Sequence, residues 1–464
     1  MTTPLPDLAY LTPDLPGTGG TLKSQPEDFL VDELPLYPPS GDGEHLMLFV
    51  QKKSLTTAEL VRRAAKAFRV SKRDVGYAGL KDKHAITRQH LTVWNPKATP
   101  ADWGRGVEQL GKDKRIEVLW AEPHRNKIKR GHHAGNQFVI TLRDVRATHA
   151  VHAKRTLDVL ATRGMPNYLG EQRFGFRQNA HTLGQLLLRG DWPGFLHELL
   201  VRPDPADAPN LAELRPLVAD KQYANALEHW PKTLRSDRQA LEALRQGKPE
   251  FEAARSVDKA QRKLYISATQ SDIFNRVLDA RLRHHAIDEL LPGDLAWKHD
   301  SRAVFPVDAN PTHLTPEAHG DSPWVASPNT PDPPNDAHAL NAARVPNFEL
   351  SPSGPLPGTD LLSPTPNSIP AQLEDDALAA AHLTPHDFAG PRDAEGQPLL
   401  PGLAVEGSRR PLRVPLTDPD LSAGSDDRGP YIKLRFTLPR GSFATIALRE
   451  IMKPPPTTTA SPTS

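Results

Sequence analysis

From Glu44 to Lys52 the chain alternates Leu46, Leu48 and Val50 with Met47 and Phe49. Successive side chains of a strand point to opposite faces, so a strand built from these residues is apolar on both. Such a strand belongs inside a sheet covered on each side, which calls for helices nearby. One is predicted immediately: Thr56 can cap a helix, with Glu59 completing a capping box. Leu60, Ala64, Ala67 and Phe68 make its inner stripe, and Arg62, Arg63, Lys66 and Arg69 its outer face. Further strands are predicted at Phe29–Leu34, Val75–Ala78, His90–Trp94 and Phe138–Leu142. Near the other end, Ile432, Leu434, Phe436 and Leu438 alternate with Lys433, Arg435 and Thr437, the pattern of a half-buried strand over Tyr431–Leu438. Pro439-Arg440-Gly441 then turns the chain, and a helix over Phe443–Met452 is predicted with Ser442 as its N-cap.

The middle reads as helical, with helices predicted around His149–Arg163, Ser236–Arg245, Val257–His285 and Pro370–His382. At 464 residues the chain exceeds the usual size of one core, so two or three domains are expected. Only 38% of residues are hydrophobic and 48 are proline, which implies that part of the chain is not packed. Residues 1–20 read as an irregular lead-in, and the Pro/Thr/Ser string 454–464 as a disordered tail. Segment 306–346, with nine prolines and no sustained period, reads as a flexible acidic loop inserted in a domain.

The absence of cysteine excludes disulfides, a cysteine nucleophile and thiolate zinc sites. No leader is apparent at Met1-Thr2-Thr3-Pro4, and no run approaches the roughly 20 apolar residues of a membrane span, so a cytoplasmic protein without a membrane partner is expected. The net charge of +1 conceals an asymmetry: residues 51–90 carry 11 Lys/Arg against three acids, and residues 306–400 carry 13 acids against two arginines. A basic region beside an acidic one suggests a polyanionic partner bound by one region only.

The run Gly76-Tyr77-Ala78-Gly79-Leu80-Lys81-Asp82-Lys83-His84-Ala85-Ile86-Thr87-Arg88-Gln89 sets one carboxylate between two lysines. A lysine neighbour keeps a carboxylate ionised, and an ionised carboxylate can act as a nucleophile. Lys-Asp-Lys alone is ordinary surface charge, but the whole string resembles the signature of the TruD family of tRNA pseudouridine synthases. That resemblance implies Asp82 as the catalytic nucleophile. Lys81 reads as tuning it, as contacting phosphate, or as a simple solvated lysine. His84 reads first as a loop histidine held by a structural hydrogen bond, with contact to RNA as the alternative.

Four more strings are similar to the family. Leu22-Lys23-Ser24-Gln25-Pro26-Glu27-Asp28-Phe29 implies Lys23 as a basic active-site residue and Phe29 as an aromatic at the target nucleotide. The basic stretch His124–Phe138 suits phosphate contact, and its Gly135-Asn136-Gln137-Phe138 implies that Asn136 hydrogen-bonds the target uracil and that Phe138 stands where other pseudouridine synthases carry tyrosine. His132-His133 lacks acidic or cysteine partners at ligand spacing, and no metal is expected. Met165–Gly175 opens an inserted domain by resemblance, leaving Arg173 and Arg177 as phosphate contacts or structural ion pairs. Leu438–Thr445 implies Phe443 as a further aromatic at the base.

The expected architecture is α/β (α+β): a discontinuous catalytic domain, residues 20–163 and 415–453, with a mixed sheet, and an inserted α-rich domain over 164–414. The resemblance implies isomerisation of uridine to pseudouridine at position 13, in the D arm of tRNA. The chemistry of that reaction requires no cofactor, and a monomer is expected. Two rivals stand beside it. A non-catalytic tRNA-binding or RNA-folding protein would use the same basic face but has no need of Lys81-Asp82. A carboxylate-based nucleoside or glycoside hydrolase needs a second acid or base across the bond, and none is evident near Asp82.

Overall fold

The computed structural model describes residues 8–307, 341–400 and 403–453. The tail 454–464 and most of the acidic loop 306–346 lie outside the described residues. The chain divides into two compact units, one comprising Leu11–Met165 and the segment from Val414, the other Pro166–Arg413 with the residues before Leu11. Among the described residues no helix is long and apolar enough to cross a membrane.

The first unit is built on a mixed eight-stranded sheet. Its strands are β1 (Phe29–Pro35), β2 (His45–Lys53), β3 (Val75–Tyr77), β4 (Ile86–Trp94), β5 (Ile116–His124), β6 (His133–Arg143), β7 (Thr417–Asp426) and β8 (Gly429–Pro439). They run in the order β7-β8-β6-β1-β4-β2-β5, with β3 also beside β4. β1 and β4 pair in parallel, whereas the other neighbours are antiparallel.

The two-faced strand is β2. Leu46, Leu48 and Val50 pack into one cluster with Leu60 and Ala64 of α1 (Thr57–Ala67) and Leu110 of α2 (Pro100–Gly111). Met47 faces the other way, toward Ala78, Ile128 and Trp120. Each such leucine, removed from water, contributes about 1.5–3 kcal/mol. α1 starts as expected, with Thr56 and Glu59 closing a capping box.

β4 begins four residues earlier than predicted, because Thr87 and Gln89, polar in sequence, are buried in the sheet. One edge of β4 pairs with β2 throughout, and its other edge is shared. β1 takes Ile86–Arg88 and β3 takes Leu91–Val93. Strands β5 and β7 and helix α2 were not predicted. β7, Thr417–Asp426, is a largely exposed edge strand of polar residues with no apolar alternation to reveal it.

α3 (Ala150–Arg163) packs against α4 (Ala444–Met452) and β7. The N-cap of α4 is Phe443, not Ser442 as predicted, and no side chain caps it. Ser442 is retained by the preceding turn, where its N–H donates to the Pro439 carbonyl at 3.3 Å. In the second unit the long helix Lys259–Arg283 packs against helices Ala180–Arg189 and Ile369–Ala380. It also contacts the strand Leu350–Leu356 of a four-stranded sheet.

The lead-in has no helix or strand over residues 8–20, yet it is pinned. The carboxylate of fully buried Glu450 on α4 accepts from the N–H groups of Leu11 and Thr12, at 2.8 and 3.2 Å, and from the Thr12 hydroxyl at 2.7 Å. Glu450→Ala strands these donors at about 1–3 kcal/mol for each buried group. The melting temperature is expected to fall by about 5 °C or more, as read by calorimetry; an unchanged value would show that the lead-in is not held this way.

Candidate active site

Residues 78–85, between β3 and β4, form a loop without regular structure. Lys81 and Asp82 are nevertheless held through four of their polar groups. The Lys81 N–H donates to Thr57 Oγ1 at 2.9 Å, at the first turn of α1. Lys81 Nζ lies 3.0 Å from Glu33 Oε2 and also donates to Asn136 Oδ1. The Asp82 carbonyl accepts from Lys52 Nζ at 2.8 Å. The Asp82 carboxylate meets Lys23 Nζ at 2.7 Å. Burial separates support from chemistry: the side chains of Lys81 and Glu33 are 5% and 1% exposed, and that of Asp82 is 41% exposed.

Glu33 fills the split where β1 and β3 divide the edge of β4. Its Oε1 accepts from the His90 N–H at 2.9 Å and lies 3.3 Å from His90 Nδ1. A side chain thus does at this point what a neighbouring strand does elsewhere in the ladder. Burial alone would push the Glu33 carboxyl up, but the hydrogen bonds from His90 and the charge of Lys81 outweigh it and hold it below the usual range. His133, buried beside Lys81, is also shifted down, its pKa lowered by burial and then by the Lys81 charge.

Strand register brings the remaining residues in. Glu33 on β1 lies opposite Asn136 on β6, and Val31 opposite Phe138. Phe138 in turn lies opposite Phe436 on β8. The Phe29 and Phe138 rings meet edge to face at 6.3 Å, and Phe138 and Phe436 at 5.6 Å. Lys23 Nζ sits 4.2 Å from the Phe29 ring centre while holding Asp82, so one ammonium joins the carboxylate to the aromatic cluster. Lys23 adopts φ +57°, a left-handed conformation costing a non-glycine residue on the order of 1 kcal/mol. Gly135 is needed before Asn136: a Cβ there would lie 2.4 Å from the Leu438 carbonyl oxygen.

The structure therefore gathers Lys23, Phe29, Lys81, Asp82, Asn136 and Phe138, with Phe29 and Phe138 both buried. Phe443, half-buried, stands apart from this contact set at the start of α4. His84 is exposed, and among the described residues its ring makes none of the hydrogen bonds expected of it. Arg177 is structural: its guanidinium donates to the carbonyls of Glu198, Leu199 and Arg202. Arg173 is exposed. His132 Nδ1 lies 3.1 Å from the Tyr37 hydroxyl. Sequence reasoning missed Glu33 and Lys52, although a signal existed. Glu33 shares a face with Phe29 and Val31, and Lys52 continues the face of Leu46, Leu48 and Val50.

Glu33→Gln leaves Lys81 buried without its counter-charge, a change on the order of 3–5 kcal/mol. Because the folded carboxyl titrates below its ordinary 4.5, the wild-type advantage is present above that value and is lost as pH falls through the lower folded pKa. Denaturant titrations should show wild type and Glu33→Gln well separated at pH 7 and converging below pH 4; a constant gap would contradict the ion pair.

The chain matches the family model for tRNA pseudouridine synthase D (TruD) over residues 7–451. It is 42% identical over 450 residues to the tRNA pseudouridine synthase D of Geobacter sulfurreducens, covering 97% of this chain and 98% of that one. It is 40% identical over 447 residues to that of Geobacter metallireducens, covering 96% and 97%. Its fold is similar to the crystal structure of a TruD protein from Methanosarcina mazei, with a TM-score of 0.76 at 24% identity and 96% of each chain covered. The chain belongs to the TruD family of tRNA pseudouridine synthases.

Proposed function

We propose that this protein isomerises uridine to pseudouridine at position 13 of tRNA, in the D arm, with Asp82 as the nucleophile. The observation that carries this reading is the Asp82 carboxylate itself, open to solvent on a loop whose every other anchor is enclosed. The reaction breaks the N-glycosidic bond, turns the base, joins C5 to C1′ and releases the C5 proton. A carboxylate can form the covalent intermediate that holds the substrate between those bonds. Lys23 orients that carboxylate through its 2.7 Å contact. With Oδ1 engaged by Lys81, Asn136 offers its amide N–H groups to a uracil carbonyl.

A base must leave its stack to react; by resemblance Phe29 and Phe443 meet it, Phe443 half-buried and Phe29 enclosed with Phe138 in the aromatic cluster. Exposed Arg62, Lys66, Arg69 and Lys83, with Lys129 and Arg130 before β6, supply positive charge for phosphates. The D-arm position follows from the family resemblance alone.

Asp82→Asn should lower tritium release from tRNA carrying 5-tritiated uridine by at least about 1,000-fold, with tRNA affinity and melting temperature nearly unchanged. Release at the wild-type rate would favour an RNA-binding role for this loop. Phe443→Ala should slow turnover about tenfold with the melting temperature within about 2 °C of wild type; a fall of several degrees would make Phe443 a packing residue.

A further inference from the structure

Lys52 is fully buried on the apolar face of β2. Its cross-strand neighbours are Thr87 on β4 and Ile116 on β5, neither of them charged. Its Nζ donates to the Leu55 carbonyl at 2.6 Å and the Asp82 carbonyl at 2.8 Å, and among the described residues no carboxylate is ion-paired with it. An ammonium removed from water without a counter-ion costs several kcal/mol, so a core needing only volume here would carry methionine or leucine. Both carbonyls lie on loops that sequence alone leaves free, and one belongs to the residue that carries the proposed nucleophile.

We infer that Lys52 is a positioning residue for the reaction: from strand β2 it grips the backbone of Asp82 and so sets where the carboxylate points. This rests on the reading of Asp82 as nucleophile. The grip is charge-assisted and therefore depends on the proton. Burial lowers the Lys52 pKa to about 8; Asp82 works against this shift, Lys81 adds to it, and Glu59 on α1 opposes it. The protonated form holds the loop, so turnover should decline as pH rises through about 8.

The test compares wild type, Lys52→Met and Asp82→Asn on tRNA carrying 5-tritiated uridine, between pH 6.5 and 9.5. Lys52→Met should lower kcat at least about tenfold at pH 7, with KM and tRNA affinity within about twofold of wild type, and should lack the alkaline decline near pH 8. An unchanged kcat, or the same alkaline decline in the variant, would overturn the inference. If Lys52→Met does not fold, Lys52→Gln keeps an uncharged donor at the site; loss of the alkaline decline in it supports the inference, and retention overturns it. Activity in Asp82→Asn would remove the nucleophile reading itself. An inactive Asp82→Asn beside a fully active Lys52→Met would remove only the role of Lys52.

Discussion

Lys81 carries its charge to a place where 5% of its side chain meets solvent, and the still more enclosed Glu33 carboxylate makes that tolerable. Neither charge could stay there alone, since a buried ion without its partner costs several kcal/mol. The pair does more than cancel charge. Glu33 also takes the His90 N–H at the point where β1 and β3 part along β4, so the sheet can open without leaving a buried donor unpaired. Lys81, held in that opening, draws the loop that carries Asp82 down onto the sheet.

Precision on an irregular loop follows from this arrangement. A side chain on a strand or helix inherits its position from the ladder, whereas one on a loop needs anchors of its own. Here Thr57 holds the Lys81 N–H, Lys52 holds the Asp82 carbonyl, and Lys23 meets the carboxylate. Those anchors come from α1, β2 and the segment before β1, so the placement of one carboxylate depends on elements spread across the unit. The aromatic side of the site is equally distributed. Phe29, Phe138 and Phe436 meet because β6 lies between β1 and β8, although Phe436 arrives some 300 residues after Phe138 in the chain.

Much of this was legible in the sequence, for a physical reason. The strongest patterns, two-faced β2 and half-buried β8, come from strands whose apolar residues settle their place, and the capping box of α1 is local chemistry. What escaped was structure made by polar residues under tertiary constraint. Thr87 and Gln89, polar residues ahead of the predicted strand, are covered by the sheet; β7 is an edge strand without alternation. Ser442 looked like a cap, yet its preceding turn claimed it. Asp82, Lys23 and Asn136 were visible through family strings, while their supports Glu33 and Lys52 lie outside those strings and look like ordinary strand charges. A charged residue in register with a buried apolar face is the signal that would have found both.

The central claim is that the position of one carboxylate, and not its charge alone, makes this site. The direct measurement is single-turnover tritium release by Asp82→Glu, which keeps the charge and moves the carboxylate by one methylene. A loss of about 100-fold or more is expected, with tRNA affinity and melting temperature held near wild type. Release within a few-fold of wild type would contradict it, because a carboxylate free to work from either position owes nothing to the anchors beneath it.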